Sequence, residues 1–117
     1  MSKLSTHVLD TSIGKPAEGV KIDFSIFEAN GSRLIKSLAT NKDGRTDELL
    51  LDADSMRAGD YEILFHIGDY FSAKGVALGD RPFLNKIPIR FSIANPEQNF
   101  HVPLVVTPWS YSTYRGS

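Results

Sequence analysis

The sequence predicts an all-β protein, a sandwich of about eight short strands with one short helix. Three observations point there. Apolar residues alternate with polar ones at period two in four separate segments, the mark of strands with one face on a core. The breaks between segments carry glycine, asparagine, aspartate and proline, the residues that make turns. Only residues 69–74 read as a helix.

Taken in chain order, residues 4–9 form a short strand with a mixed pattern. Leu4, Thr6 and Val8 share one side of it, and His7 and Leu9 the other. Ile13-Gly14-Lys15-Pro16 breaks the chain before a clear strand in which Val20, Ile22, Phe24 and Ile26 point one way and Lys21, Asp23 and Ser25 the other. Ala29-Asn30-Gly31-Ser32 is a hairpin turn, since Asn-Gly tolerates the positive φ of tight turns. A strand over residues 33–40 follows, then the turn Asn41-Lys42-Asp43-Gly44, then a short strand over 48–51. Tyr61, Ile63, Phe65 and Ile67 alternate again. Asp69 is placed to N-cap the helix and Gly75 to end it. Ile87, Ile89, Phe91 and Ile93 make the next strand, and Asn95-Pro96-Glu97-Gln98-Asn99 links it to Phe100, Val102, Leu104 and Val106. A last strand covers residues 109–114.

The 117 residues fit one domain, 1–117, large enough to bury a core without staples. With no cysteine, neither disulfides nor thiolate metal sites contribute. Thirteen basic and fourteen acidic residues are spread along the chain for a net charge of −1, so no basic block suits nucleic acid. No apolar run reaches membrane-spanning length, and the N-terminus lacks a signal-peptide pattern. The expectation is a soluble cytoplasmic protein.

Alternation also assigns the polar faces. With Val102, Leu104 and Val106 on the core, His101, Pro103 and Val105 face outward. Tyr111 and Thr113 suit the inner side, leaving Ser110, Ser112 and Tyr114 outside. His7, His101 and Tyr114 then share one outer face if their strands lie side by side. Leu9, Pro103 and Val105 make that face apolar around the histidines, which suits cover by another subunit. The strand-like end runs directly into Tyr114-Arg115-Gly116-Ser117, a cation, a glycine and a hydroxyl with the terminal carboxylate. Taken singly, a strand histidine is usually a packing or surface residue; the shared facing of two of them is what points to chemistry.

The chain resembles the transthyretin-like family and, within it, the 5-hydroxyisourate hydrolases. The resemblance rests on Ser5-Thr6-His7-Val8-Leu9-Asp10 with Gly14-Lys15-Pro16-Ala17, on Asn41-Lys42-Asp43-Gly44-Arg45, on His101-Val102-Pro103-Leu104, on Ser110-Tyr111-Ser112-Thr113, and on the final Tyr114-Arg115-Gly116-Ser117. It implies a sandwich of two four-stranded sheets with a short helix after the fifth strand. It implies a homotetramer whose central channel holds active sites shared between subunits. By resemblance His7, Arg45, His101 and Ser117 are catalytic, Tyr114, Arg115 and Gly116 bind substrate, and neither cofactor nor metal is needed. The implied reaction is hydrolysis of a ring amide of 5-hydroxyisourate, a small-molecule substrate.

The residue types suit that reaction. A neutral imidazole activates water near working pH, and either His101 or His7 fits the role. Arg45 offers a fixed charge and a planar fork for a ring edge or an oxyanion. Arg115 and Ser117 suit polar atoms of a substrate, with Gly116 allowing close backbone approach. His66 lies on another strand and reads as structural; Trp109 and Phe100 read as core or interface aromatics. Two other classes compete: a tetrameric carrier of small aromatic ligands, disfavoured by the histidine pair and polar tail, and a β-sandwich with no ligand site.

Overall fold

The alternating segments pair into two four-stranded sheets packed face to face. In the computed structural model, which describes residues 2–116, the order is β1 (Leu4–Asp10), β2 (Lys15–Pro16), β3 (Lys21–Glu28), β4 (Gly31–Ala39), β5 (Gly59–His66), α1 (Ile67–Ala73), β6 (Lys86–Ile93), β7 (Phe100–Val106) and β8 (Tyr111–Thr113). One sheet runs β2-β1-β7-β8 and the other β4-β3-β5-β6. The second sheet is antiparallel throughout, whereas β1 and β7 pair in parallel at the centre of the first.

The inward positions are those that alternation assigns. Leu4 and Val8 of β1, Ile22 and Phe24 of β3, Tyr61, Ile63 and Phe65 of β5, Ile87 of β6 and Leu104 and Val106 of β7 are buried in one core. Each such side chain contributes about 1.5–3 kcal/mol relative to exposure, so the facing of every strand is held by its neighbours. Phe24 and Tyr61 stack with ring centroids 5.5 Å apart across the β3–β5 pair. Buried Asp10 ends β1, where it accepts hydrogen bonds from the Tyr70 hydroxyl of α1 at 2.8 Å and from the Ser12 backbone at 3.0 Å. A carboxylate with such donors is a strong tie, and here it fastens the helix to the end of β1.

Several elements depart from expectation. The helix begins two residues early, so Asp69 sits in its first turn and is not the N-cap; His66 holds that place without a side-chain cap. Strand β5 runs directly into the helix, and the Gly68 N–H is satisfied by the Asn85 carbonyl at 2.8 Å. Residues 48–51 form no strand. Leu50 and Leu51 are buried, but their backbone meets only Leu4, through a single bridge. The eighth strand is instead the two-residue β2, which pairs with Leu9 and Asp10. Pro16 has no N–H to extend that ladder. Strand β8 is also shorter than expected, because Thr107 closes a turn that includes Trp109: its hydroxyl accepts from the Trp109 and Ser110 N–H groups at 3.0 and 2.9 Å. Tyr111 and Thr113 are exposed, since β8 is an edge strand paired only with β7. Thr113 nevertheless borders a recess between the sheets with Phe100, Val102 and Ile89.

Candidate active site

His7 reaches the outer face because Thr6 and Val8 on either side of it are buried in the core; His101 reaches it because Phe100 and Val102 are. The parallel β1–β7 ladder sets Ser5 opposite His101 and His7 opposite Pro103. The two histidines are therefore diagonal neighbours on one face, a separation that long or aromatic side chains span. Their ring centroids lie 6.5 Å apart. Both are half-buried. Leu9 and Val105 pair beyond them on the same face and are likewise half-buried, and Pro103 is buried.

The loop after β4 delivers two more groups. The Asn41 side-chain oxygen accepts from the Asp43 and Arg45 N–H groups at 2.9 and 3.2 Å, and the Asn41 N–H donates to the Arg45 carbonyl at 2.7 Å. Gly44 turns the loop at a φ of +76°. The loop docks on β1 by a 2.8 Å hydrogen bond from the Val8 N–H to the Gly44 carbonyl. A Cβ on Gly44 would run into the Val8 carbonyl oxygen and come within 3.2 Å of the His7 ring, so both φ and space require glycine. Docked in this way, the loop places the Asp43 carbonyl 2.8 Å from His7 Nε2. A carbonyl only accepts, so Nε2 carries the proton and the neutral ring keeps its lone pair on Nδ1. Arg45 is exposed, and its guanidinium has no hydrogen-bond or ion-pair partner among the described residues.

His101 is held from both sides. Its Nδ1 lies 2.8 Å from the Ser5 hydroxyl, and its backbone bridges Gly116, whose N–H donates to the His101 carbonyl at 2.7 Å. Burial lowers the affinity of both imidazoles for a proton, and the nearby Arg45 charge lowers it further; His7 and Lys3 add to the effect on His101. The backbone groups of Asp43, beside His7, and of Ser5, beside His101, oppose these shifts without cancelling them. Both rings thus titrate below the ordinary histidine value of 6.5. The unfolded chain takes up these protons first, so the stability contributed by the neutral rings is full above pH 6.5 and declines as pH falls below it.

The structure brings His7, His101 and Gly116 together and sets the Arg45 charge where both rings feel it. It directs Arg115 elsewhere. Because Gly116 pairs with His101, the preceding residue falls on the Phe100 side. The Arg115 guanidinium lies 4.3 Å from the Phe100 ring centroid and donates to the Asn99 carbonyl at 3.1 Å. Tyr114 is exposed at the same recess. Ser117 lies outside the described residues. His66 is in the other sheet, where its Nε2 meets Asp23 at 2.8 Å. Phe100 belongs to the core, but Trp109 is exposed against Phe83, with ring centroids 6.1 Å apart. Ser5 and Asn41, which position His101 and the loop, carry no signal in the sequence beyond their place in the motifs.

A two-sheet sandwich with a short helix after its fifth strand is a transthyretin-type domain, and this one bears an imidazole pair on the outer face of one sheet. The chain belongs to the HIUase/Transthyretin family, which it matches over residues 4–116. It is 49% identical to 5-hydroxyisourate hydrolase 2 of Rhizobium meliloti (strain 1021) over 115 residues, 98% of this chain and 96% of that protein. It superposes on the structure of Klebsiella pneumoniae 5-hydroxyisourate hydrolase with a TM-score of 0.80 at 37% identity, covering all of both chains. It also superposes on the crystal structure of (S)-allantoin synthase with a TM-score of 0.93 at 43% identity, where it covers 99% of this chain but only 44% of that longer one.

Proposed function

We propose that this protein hydrolyses 5-hydroxyisourate to 2-oxo-4-hydroxy-4-carboxy-5-ureidoimidazoline, a step of urate degradation, as a cytoplasmic homotetramer whose sites are shared between subunits. The observation that carries the reading is the pair of half-buried imidazoles 6.5 Å apart, both disposed to stay neutral near the exposed Arg45 guanidinium. The names of the full-length relatives support the substrate.

The reaction needs three things of these residues. A neutral imidazole takes a proton from water as its oxygen bonds to the ring amide carbonyl carbon. The Arg45 guanidinium stabilises the charge that gathers on the carbonyl oxygen. The carbon–nitrogen bond then breaks, and the imidazolium returns its proton to the departing ring nitrogen. One oxygen and two hydrogens of water are added, giving a carboxyl group and a free ureido nitrogen. Ser117, together with Arg115 and Tyr114, lines the site in this reading, with a neighbouring subunit bringing such groups to the imidazole pair.

Freshly generated 5-hydroxyisourate, followed by ultraviolet absorbance, is expected to decay much faster with the purified protein than without it. An unchanged spontaneous rate would end the proposal. The pH profile is a second check. A base with lowered proton affinity holds kcat/KM through pH 6.5 and loses it only at lower pH. A profile still flat at about pH 5 would show that neither histidine acts as a base.

A further inference from the structure

The outer face of the β2-β1-β7-β8 sheet sets a hydroxyl at one edge of the His101 ring and a bare backbone at the other. From this we infer that Ser5 and Gly116 are positioning residues that hold His101 with Nδ1 committed and Nε2 as the single nitrogen presented to the open face.

Ser5 and His101 are 96 residues apart in sequence but stand directly opposite each other in the β1–β7 ladder, on the same outward side. The Oγ–Nδ1 separation of 2.8 Å is a full hydrogen bond and is the only contact recorded for this hydroxyl among the described residues. Gly116 flanks the ring from the other edge. A Cβ there would lie 2.9 Å from His101 Cδ2, 3.1 Å from its Cβ and 3.3 Å from its Cγ. Gly116 does not adopt a positive φ, so the glycine is needed for room and not for backbone conformation. A ring flip would exchange Cδ2 and Nδ1. It would turn a carbon toward the hydroxyl and leave the hydrogen bond unmade, so the hydroxyl favours one flip state.

A neutral imidazole has one donor nitrogen and one acceptor nitrogen. A partner at Nδ1 therefore also sets what Nε2 can do, whichever group donates. The charged and titratable groups around this ring, Arg45, His7 and Lys3, all disfavour the imidazolium, so the neutral form in which tautomers matter is the resting form. His7 is held in the opposite sense, by Nε2 on the Asp43 carbonyl. The pair then offers two different atoms to one substrate, Nδ1 of His7 and Nε2 of His101. That difference gives the two imidazoles separate roles.

The test compares the full-length protein with Ser5→Ala, Ser5→Thr and Gly116→Ala by two readouts. In protein labelled with ¹⁵N at histidine, the wild type is expected to show one dominant neutral tautomer at His101, and Ser5→Ala a mixture. In the ultraviolet assay, Ser5→Ala and Gly116→Ala are expected to lower kcat about tenfold or more with little change in KM, since small misplacement of a reacting group is costly. Ser5→Thr, which keeps a hydroxyl, is expected to retain most of the rate and the dominant tautomer. An unaltered tautomer ratio together with wild-type kcat in Ser5→Ala overturns the inference. The kinetic arm rests on the hydrolase reading, but the ¹⁵N arm does not. A wild type without turnover would remove the proposed activity while the tautomer comparison still decides the role of Ser5.

Discussion

Replacing His101 by alanine is expected to lower kcat/KM for 5-hydroxyisourate by about 10²–10⁴-fold, the range that a positioned general base contributes. That corresponds to about 3–5 kcal/mol of transition-state stabilisation. The size of the effect follows from the setting. His101 is half-buried, kept neutral by burial and by Arg45, and held at Nδ1 and along its backbone. A water molecule in bulk has no such oriented acceptor. His7→Ala is expected to fall in the same range, because its ring shares the face and is held at Nε2. If the two rings act on one water and one ring amide, the double variant is expected to be little slower than the slower single variant. Wild-type rates in both single variants would mean that the histidine pair is a packing feature. Neither change removes core, so unaltered thermal unfolding would confirm that a lost rate is a chemical loss.

Arg45→Ala carries the second large expectation, a fall of about 10²–10³ in kcat, as for loss of one preorganised oxyanion contact. Arg45→Lys is expected to recover part of it, since lysine keeps the charge but not the planar fork. The substitution has a second, independent signature. Arg45 lowers the proton affinity of both histidines, so its removal lets both titrate at higher pH. The acid limb of kcat/KM in Arg45→Ala is therefore expected to move up toward pH 6.5, and the shift should shrink in wild-type protein at high salt, because the guanidinium is exposed and screened. A slower enzyme with an unmoved acid limb would mean that Arg45 meets the substrate without acting on the imidazoles.

Much of the fold was legible in local patterns. The alternation around Phe24, Ile63, Ile89 and Leu104 announced both the strands and their buried sides, because a half-buried strand leaves a period of two and core burial enforces it. The outward facing of His7 and His101 followed from the same rule. What failed were elements without a pattern of their own. The 48–51 segment has the apolar residues of a strand, but it makes a single β-bridge, to Leu4, and joins no ladder. The two residues of β2 are too few to alternate. Asp69 has the chemistry of an N-cap, but the chain entered the helix two residues earlier, straight from β5.

The site divides along the same line. The motifs marked His7, Arg45, His101 and the terminal tetrapeptide, yet motifs do not state direction. Arg115 is a substrate-binding residue by resemblance, and within the chain the bridge between Gly116 and His101 turns its guanidinium onto Phe100. Ser5 has only its place in a motif until the parallel pairing of β1 with β7 sets it across from His101.

The chain by itself determined which residues face inward, where the turns fall and which side chains are able to do acid–base work, since each of these depends on neighbours a few positions away. Tertiary structure alone decided which strands lie side by side, and so which imidazole meets which hydroxyl, carbonyl and glycine. Those partners are 15 to 96 residues apart, and only burial of a shared core brings them into register.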